Sequence, residues 1–188
     1  MKKITLLLAT LIATLFMSGC GAAKLTPAQQ SIVDNQTPLY TQSSMWIDSN
    51  RIYGTNFGKG LLVPVNSQVK ILSLSGKAIA FEYLGAKVTY YVTTKHTSLD
   101  TSKTMDRLFS TKKVDLSKFS AKAKENIMNG NLVVGMSKSE VLIARGYPPS
   151  HQTLSTESNL WKYWYHRFKT STVSFKDGKV TKLEGGIF

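Results

Sequence analysis

The chain reads as an α+β protein in two modules: a small β barrel or sandwich, then two helices packed on a three-stranded antiparallel sheet. Three observations carry this reading. Between about 37 and 110, short β-branched and aromatic runs alternate with turn residues. From about 115, two helical stretches close on Gly130 and Gly146. Beyond Leu160, aromatic alternation leads into an Asp177-Gly178 hairpin signal. Strands and helices segregated along the chain form an α+β layer pattern.

In the first module, Leu39-Tyr40 and Met45-Trp46-Ile47 are apolar patches between polar residues. The stretch Arg51 to Gly60 is glycine-rich and aromatic, which suggests turns or bulges. Leu61 to Val65 runs into the turn signal Asn66-Ser67, and Val69, Ile71 and Leu74 follow at near-strand spacing. Ser75-Gly76 turns the chain into Ala78 to Tyr83, Gly85 breaks that strand, and Val88 to Val92 forms another. Met105, Leu108 and Phe109 suggest a short helix. Several short strands between turns fit a small barrel or sandwich. The phrase Leu61 to Ile71 resembles the core of bacterial Src-homology-3-like (SH3) barrels, in which a strand enters a polar turn and leaves as Val-x-Val. That resemblance implies a binding surface on the aromatic residues of the early loops, here Trp46, Tyr53 and Phe57.

In the second module, about 115 to 188, Ala121 to Met128 is a helical stretch that Gly130 can end. Ser137 and Glu140 have capping-box spacing, which predicts a second helix from about Lys138 to Arg145. Gly146 can take a left-handed C-terminal position, and Pro148-Pro149 forbid continuation. Leu160 to Phe168, Ser171 to Phe175, and Val180, Leu183 and Ile187 are the three strand candidates. Alternation places Trp161, Tyr163 and Tyr165 on one face of the first strand and Trp164 on the other.

The ordered set Val134-Gly135-Met136-Ser137-x-x-Glu140-Val141, Gly146-Tyr147-Pro148, Trp161-x-Tyr163 and Val173-x-Phe175-x-Asp177-Gly178-x-Val180 resembles the SmpA/OmlA (BamE-like) lipoprotein domain. Two features depart from it: an extra β module precedes the domain, and Arg145 stands where the pattern has Leu. The resemblance implies support of outer-membrane protein assembly or a related scaffolding role. It also implies that partners meet the loop before the second helix and the open face of the sheet. Met136 and an exposed Trp164 are then the expected contacts, with Trp161 and Tyr163 inside.

The start of the chain carries a targeting signal. Lys2 and Lys3 precede the apolar run Ile4 to Phe16, and Ser18-Gly19 precede Cys20. This is the layout of a secretory signal peptide over 1–19. The run is short for a bilayer span, which needs about 20 apolar residues. Met17-Ser18-Gly19-Cys20 resembles the lipobox of bacterial lipoproteins, with Met17 where Leu is preferred. That likeness implies lipidation of the Cys20 thiol and a new N-terminus at Cys20. Gly21 is not the Asp that holds such proteins at an inner membrane, so an outer-membrane, periplasm-facing location is expected. Residues 20–36 lack sustained periodicity and are expected to be a lipidated tether.

Lys2 and Lys3 are the only charges in residues 1–19, so the rest of the chain carries 22 basic and 11 acidic residues, a net of +11. This surface suits an anionic envelope partner such as peptidoglycan carboxylates or anionic lipid. The export signal argues against nucleic acid. Catalysis finds no support. His96, His151 and His166 lack metal-ligand spacing, and Cys20 is committed to lipid. No Gly-x-Ser-x-Gly elbow and no phosphate-binding glycine loop occurs, and no cofactor is expected. The expected activity is therefore non-catalytic: envelope protein interaction or scaffolding, binding of peptidoglycan or another anionic polymer through the β module, or inhibitor-like binding to another envelope protein.

Overall fold

The computed structural model describes residues 21–185, so Cys20, the signal peptide and Ile187 lie outside the described residues. The elements run α1 (Pro27–Asp34), β1 (Leu39–Thr41), β2 (Met45–Ile47), β3 (Arg51–Tyr53), β4 (Leu61–Val63), β5 (Gln68–Ser75), β6 (Ala78–Tyr83) and β7 (Ala86–Tyr91). They continue with α2 (Thr94–Thr97), α3 (Thr101–Leu108), β8 (Phe109–Ser110), α4 (Ala121–Met128), α5 (Lys138–Arg145), β9 (Leu160–His166), β10 (Lys169–Lys176) and β11 (Lys179–Glu184). The architecture is α+β. A six-stranded sheet in the order β3-β7-β6-β5-β1-β8 curls into a half-barrel, and a three-stranded antiparallel sheet β11-β10-β9 carries α4 and α5. β3 joins its sheet parallel to β7, and the other pairs are antiparallel.

Local chemistry explains the connections. The β6–β7 hairpin turns on Leu84 and Gly85, and the β10–β11 hairpin on Asp177 and Gly178; all four have positive φ, the geometry of a type I′ turn. A register shift between Ile71 and Ser73 bends β5 where Leu72 faces outward. α5 has the full capping box between Ser137 and Glu140. Gly146 follows it with φ 78° and ψ −175°. The positive φ matches the expectation, but the extended ψ means that the chain leaves the helix straight away from it rather than through a left-handed turn.

Two apolar cores result. Leu39, Ile71, Ile79, Phe81 and Val88 fill the curled sheet, with Phe109 edge-on to Phe81 at 5.2 Å. Trp161, Tyr163, Val173 and Val180 meet Ile127, Val141 and Ala144 under the two helices, and Phe175 lies 4.6 Å from Trp161. The short β2–β4 ribbon ties the halves together: Val63 belongs to the first core and Val65 to the second. Buried Ser44 completes the seam, where its N–H donates to Ile143 O at 2.9 Å and its hydroxyl accepts from Val65 N at 3.1 Å.

Residues 20–36 do not behave as a bare tether over their described part. Thr26 and Gln29 cap α1 reciprocally, with Pro27 in the first turn. Gln29 is buried and its amide donates to Asp106 Oδ1 at 2.7 Å and to Ser102 O at 3.2 Å, which fastens α1 to α3. Ala22 bridges to Ser75. The helix is only two turns long, and its apolar residues Ile32 and Val33 are adjacent, so the sequence shows no period to detect.

Candidate functional site

The aromatic residues of the early loops converge on β9 rather than on open solvent. β2, β3 and the 54–60 loop face the end of β9, and a groove of about 520 Å³ runs between them. Trp46, Tyr53, Phe57 and Tyr165 supply its aromatic surface, with Tyr53 5.4 Å from Phe57 and 5.7 Å from Tyr91. Exposed Arg51, Lys59 and Arg167 lie along it together with His96 and His166. Its one acid, Asp48, is paired with Lys59 at 3.6 Å. The groove thus combines flat apolar faces with an excess of positive charge.

Beneath it sits Arg145, only 3% exposed. As residue i+4 from Val141 at the end of α5, it points from the second module into the seam. Its guanidinium stacks on Trp46 with Cζ 4.1 Å from the ring centroid. Gly58 packs tightly against it, where a Cβ would collide with Nη2 and Cζ. Asn56 holds the loop in place by donating to Arg145 O and, at 3.3 Å, to Tyr147 O; Gly58 N donates to Trp164 O at 3.1 Å. Among the described residues no carboxylate pairs with Arg145, and its Nε and Nη2 lack partners in the protein. Burial pushes this guanidinium down to about 10, slightly offset by Tyr163 and Tyr165, which leaves it charged at neutral pH.

The orphaned polar atoms concentrate here. Thr93 Oγ1, His96 Nδ1 and Trp164 Nε1 are also buried without a protein partner, against only Thr101 and Ser171 elsewhere in the described residues. His96 and His151 face each other with ring centroids 4.3 Å apart, and His151 in turn stacks on Trp164. The Ser150 hydroxyl and His151 N donate to His96 O, so this pair also straddles the seam. Desolvation, His151 and Lys95 lower the pKa of His96. No cluster of three or more His, Cys, Asp or Glu among the described residues is arranged to hold a metal ion.

The structure redistributes the residues that sequence reasoning singled out. Tyr53 and Phe57 line the groove, half-buried. Trp46 lines it too, but one face is occupied by Arg145, and its edge lies where a Cβ on Gly130 would come within 2.7 Å. Met136 is not offered to a partner. It is 4% exposed, belongs to the second core, and its Sδ accepts from Val133 N at 3.3 Å. The loop presents Val133 and Val134 instead, at 36% and 65% exposure. Trp161 and Tyr163 are fully buried, and Tyr163 donates to Gly146 O at 2.9 Å. Trp164 does sit on the opposite face of β9, yet it is half-buried, with the His151 ring stacked on it. Sequence reasoning missed Arg145, Gly58 and Tyr165 as parts of one site. The available signal was a cation at a core-facing helical position, which demands an unusual neighbour. No protein-family model matches the chain, and comparison with curated proteins and with solved structures finds no match.

Proposed function

We propose that this chain is a non-catalytic envelope lipoprotein, anchored through Cys20 to the outer membrane and facing the periplasm, whose seam groove binds an anionic envelope polymer. One observation carries the binding: four aromatic side chains and three exposed cations share a single groove, with a lone acid already paired. Aromatic faces suit the apolar faces of sugar rings, and the cations suit the carboxylates of peptidoglycan. The anchoring part rests on the signal sequence and on the likeness of the second module to BamE-like domains and of the first to SH3-like barrels. Arg51→Glu together with Lys59→Glu reverses exposed charge without touching a core. Co-sedimentation with purified peptidoglycan should fall steeply in this variant and with added salt. Binding that ignores both changes would refute the groove reading.

A second reading, protein contact in a scaffolding role, is favoured by the exposed Val133-Val134 pair in the loop before α5. Val134→Asp should then abolish crosslinks to envelope proteins in intact cells while leaving peptidoglycan binding untouched. Cys20→Ser tests the anchor, since a hydroxyl is a poor nucleophile for lipidation. Unchanged partitioning with the outer membrane would exclude it.

A further inference from the structure

We propose that Arg145 is a concealed carboxylate receptor: when the 55–59 loop lifts, its Nε–Nη2 edge takes a carboxylate of a glycan whose rings lie on Trp46, Tyr53 and Phe57. The inference rests on the groove reading and adds to it a residue that the groove itself hides. A buried cation without a counter-charge is costly, and an apolar side chain of similar volume is often as stable in such a place. Yet α5 spends a core-facing position on it. The two fully buried donors without partners are Nε and Nη2. They point in parallel along one edge of the guanidinium, the fork that matches the two oxygens of a carboxylate.

The surroundings limit how an anion can approach. Trp46 stacks on one face of the guanidinium, and Gly58 packs close against its Nη2. With the loop lifted, Trp46 still blocks one face, and the Nε–Nη2 fork offers two parallel donors to the two oxygens of a carboxylate. The covering loop is lightly held: Asn56 and Gly58 supply its hydrogen bonds to the second module, and Gly54, Gly58 and Gly60 lie within or beside it. Trp164 Nε1 is a further buried donor in the seam without a partner.

The test uses the full-length protein in detergent, with polygalacturonate as the carboxylate glycan and dextran sulfate and polyglutamate as controls. Wild-type protein should bind polygalacturonate more tightly than either control. Arg145→Met keeps a long side chain on Trp46 and should weaken polygalacturonate binding about 10- to 100-fold, the loss expected for a charge-assisted hydrogen-bonded pair, while the melting temperature holds or rises. Arg145→Lys keeps the charge, loses the fork, and should bind almost as poorly. Wild-type affinity in Arg145→Met overturns the inference but not the groove. A fall in melting temperature together with lost binding makes Arg145 architectural and overturns it as well. Tighter binding to polyglutamate assigns the site to acidic peptides, and tighter binding to dextran sulfate excludes carboxylate selection. No binding of wild type to polygalacturonate or peptidoglycan removes the groove reading itself.

Discussion

Replacing Gly58 with alanine probes the seam with one methyl group. Gly58 is not among the residues with positive φ, so its backbone accepts alanine without strain. The added Cβ, however, would overlap Nη2 and Cζ of Arg145 and lie 2.8 Å from Nη1. An exposed arginine would swing away at little cost. This one is 97% out of solvent and stacked on Trp46, so it must give up that stack or push the loop outward. Losing the cation–π contact costs about 0.5–2 kcal/mol, and overpacking of a tight site costs about 1–3 kcal/mol in total. Against this, Gly→Ala gains about 0.4–1 kcal/mol from the less free unfolded chain. The net is a destabilisation of about 0.5–2.5 kcal/mol, or a melting temperature lower by roughly 2–8 °C for a chain of this size. In an Arg145→Ala background the obstacle is gone, and the same substitution should stabilise by about 0.4–1 kcal/mol. Thermal denaturation of the four proteins in the double-mutant cycle measures the coupling. An equal cost of Gly58→Ala in both backgrounds would show that Arg145 does not lie beneath the loop.

Gly146→Val should destabilise by about 1–3 kcal/mol, because φ is +78° and a Cβ would stand 3.0 Å from Asn56 Nδ2 and 3.3 Å from Ser43 Oγ; an unchanged denaturant midpoint would contradict that backbone geometry. Trp161→Ala should cost about 3–5 kcal/mol as a truncation in the second core, whereas Trp164→Ala, half-buried at the seam, should cost less and should loosen the His151 contact. Hydrogen exchange would show protection lost across the β9 core in the first variant and confined to the 54–60 loop and α2 in the second. His96 is held toward its neutral form by desolvation, His151 and Lys95. Its folded pKa lies below its unfolded value, so the stability from this group is full above about pH 6.5 and is lost as the pH falls through the folded value. Melting temperatures between pH 8 and 5 should therefore decline on the acid side, and His96→Gln should flatten that limb; an identical profile for the variant would rule the pair out as its source.

Much of the second module was legible because its signals are local. Ser137 with Glu140 sets a helix start within four residues, and Asp177-Gly178 sets a hairpin within two; both formed where expected. Alternation along β9 correctly separated Trp161 and Tyr163 from Trp164, since the side-chain period of a strand is a property of the backbone. α1 escaped notice although its Thr26–Gln29 capping box is equally local, because two turns with a polar surface show no hydrophobic period. Met136 was misplaced for a different reason. The resemblance assigned a role to the loop, but the loop turns Met136 inward and Val134 outward.

By itself, the sequence determined the capped start of α5, the Asp177-Gly178 hairpin, the alternation of β9 and the charge excess, since each depends on neighbours a few residues apart. Only the tertiary structure decided the site. Trp46, Gly58, Arg145 and Trp164 are brought together from loops and elements up to 118 positions apart in the chain, and nothing in the spacing of residues so distant encodes their contact. Whether an aromatic side chain on a strand is free or covered is settled by what packs against that face. Here His151 stacks on Trp164, and Trp46 and Gly58 enclose the cation at the end of α5.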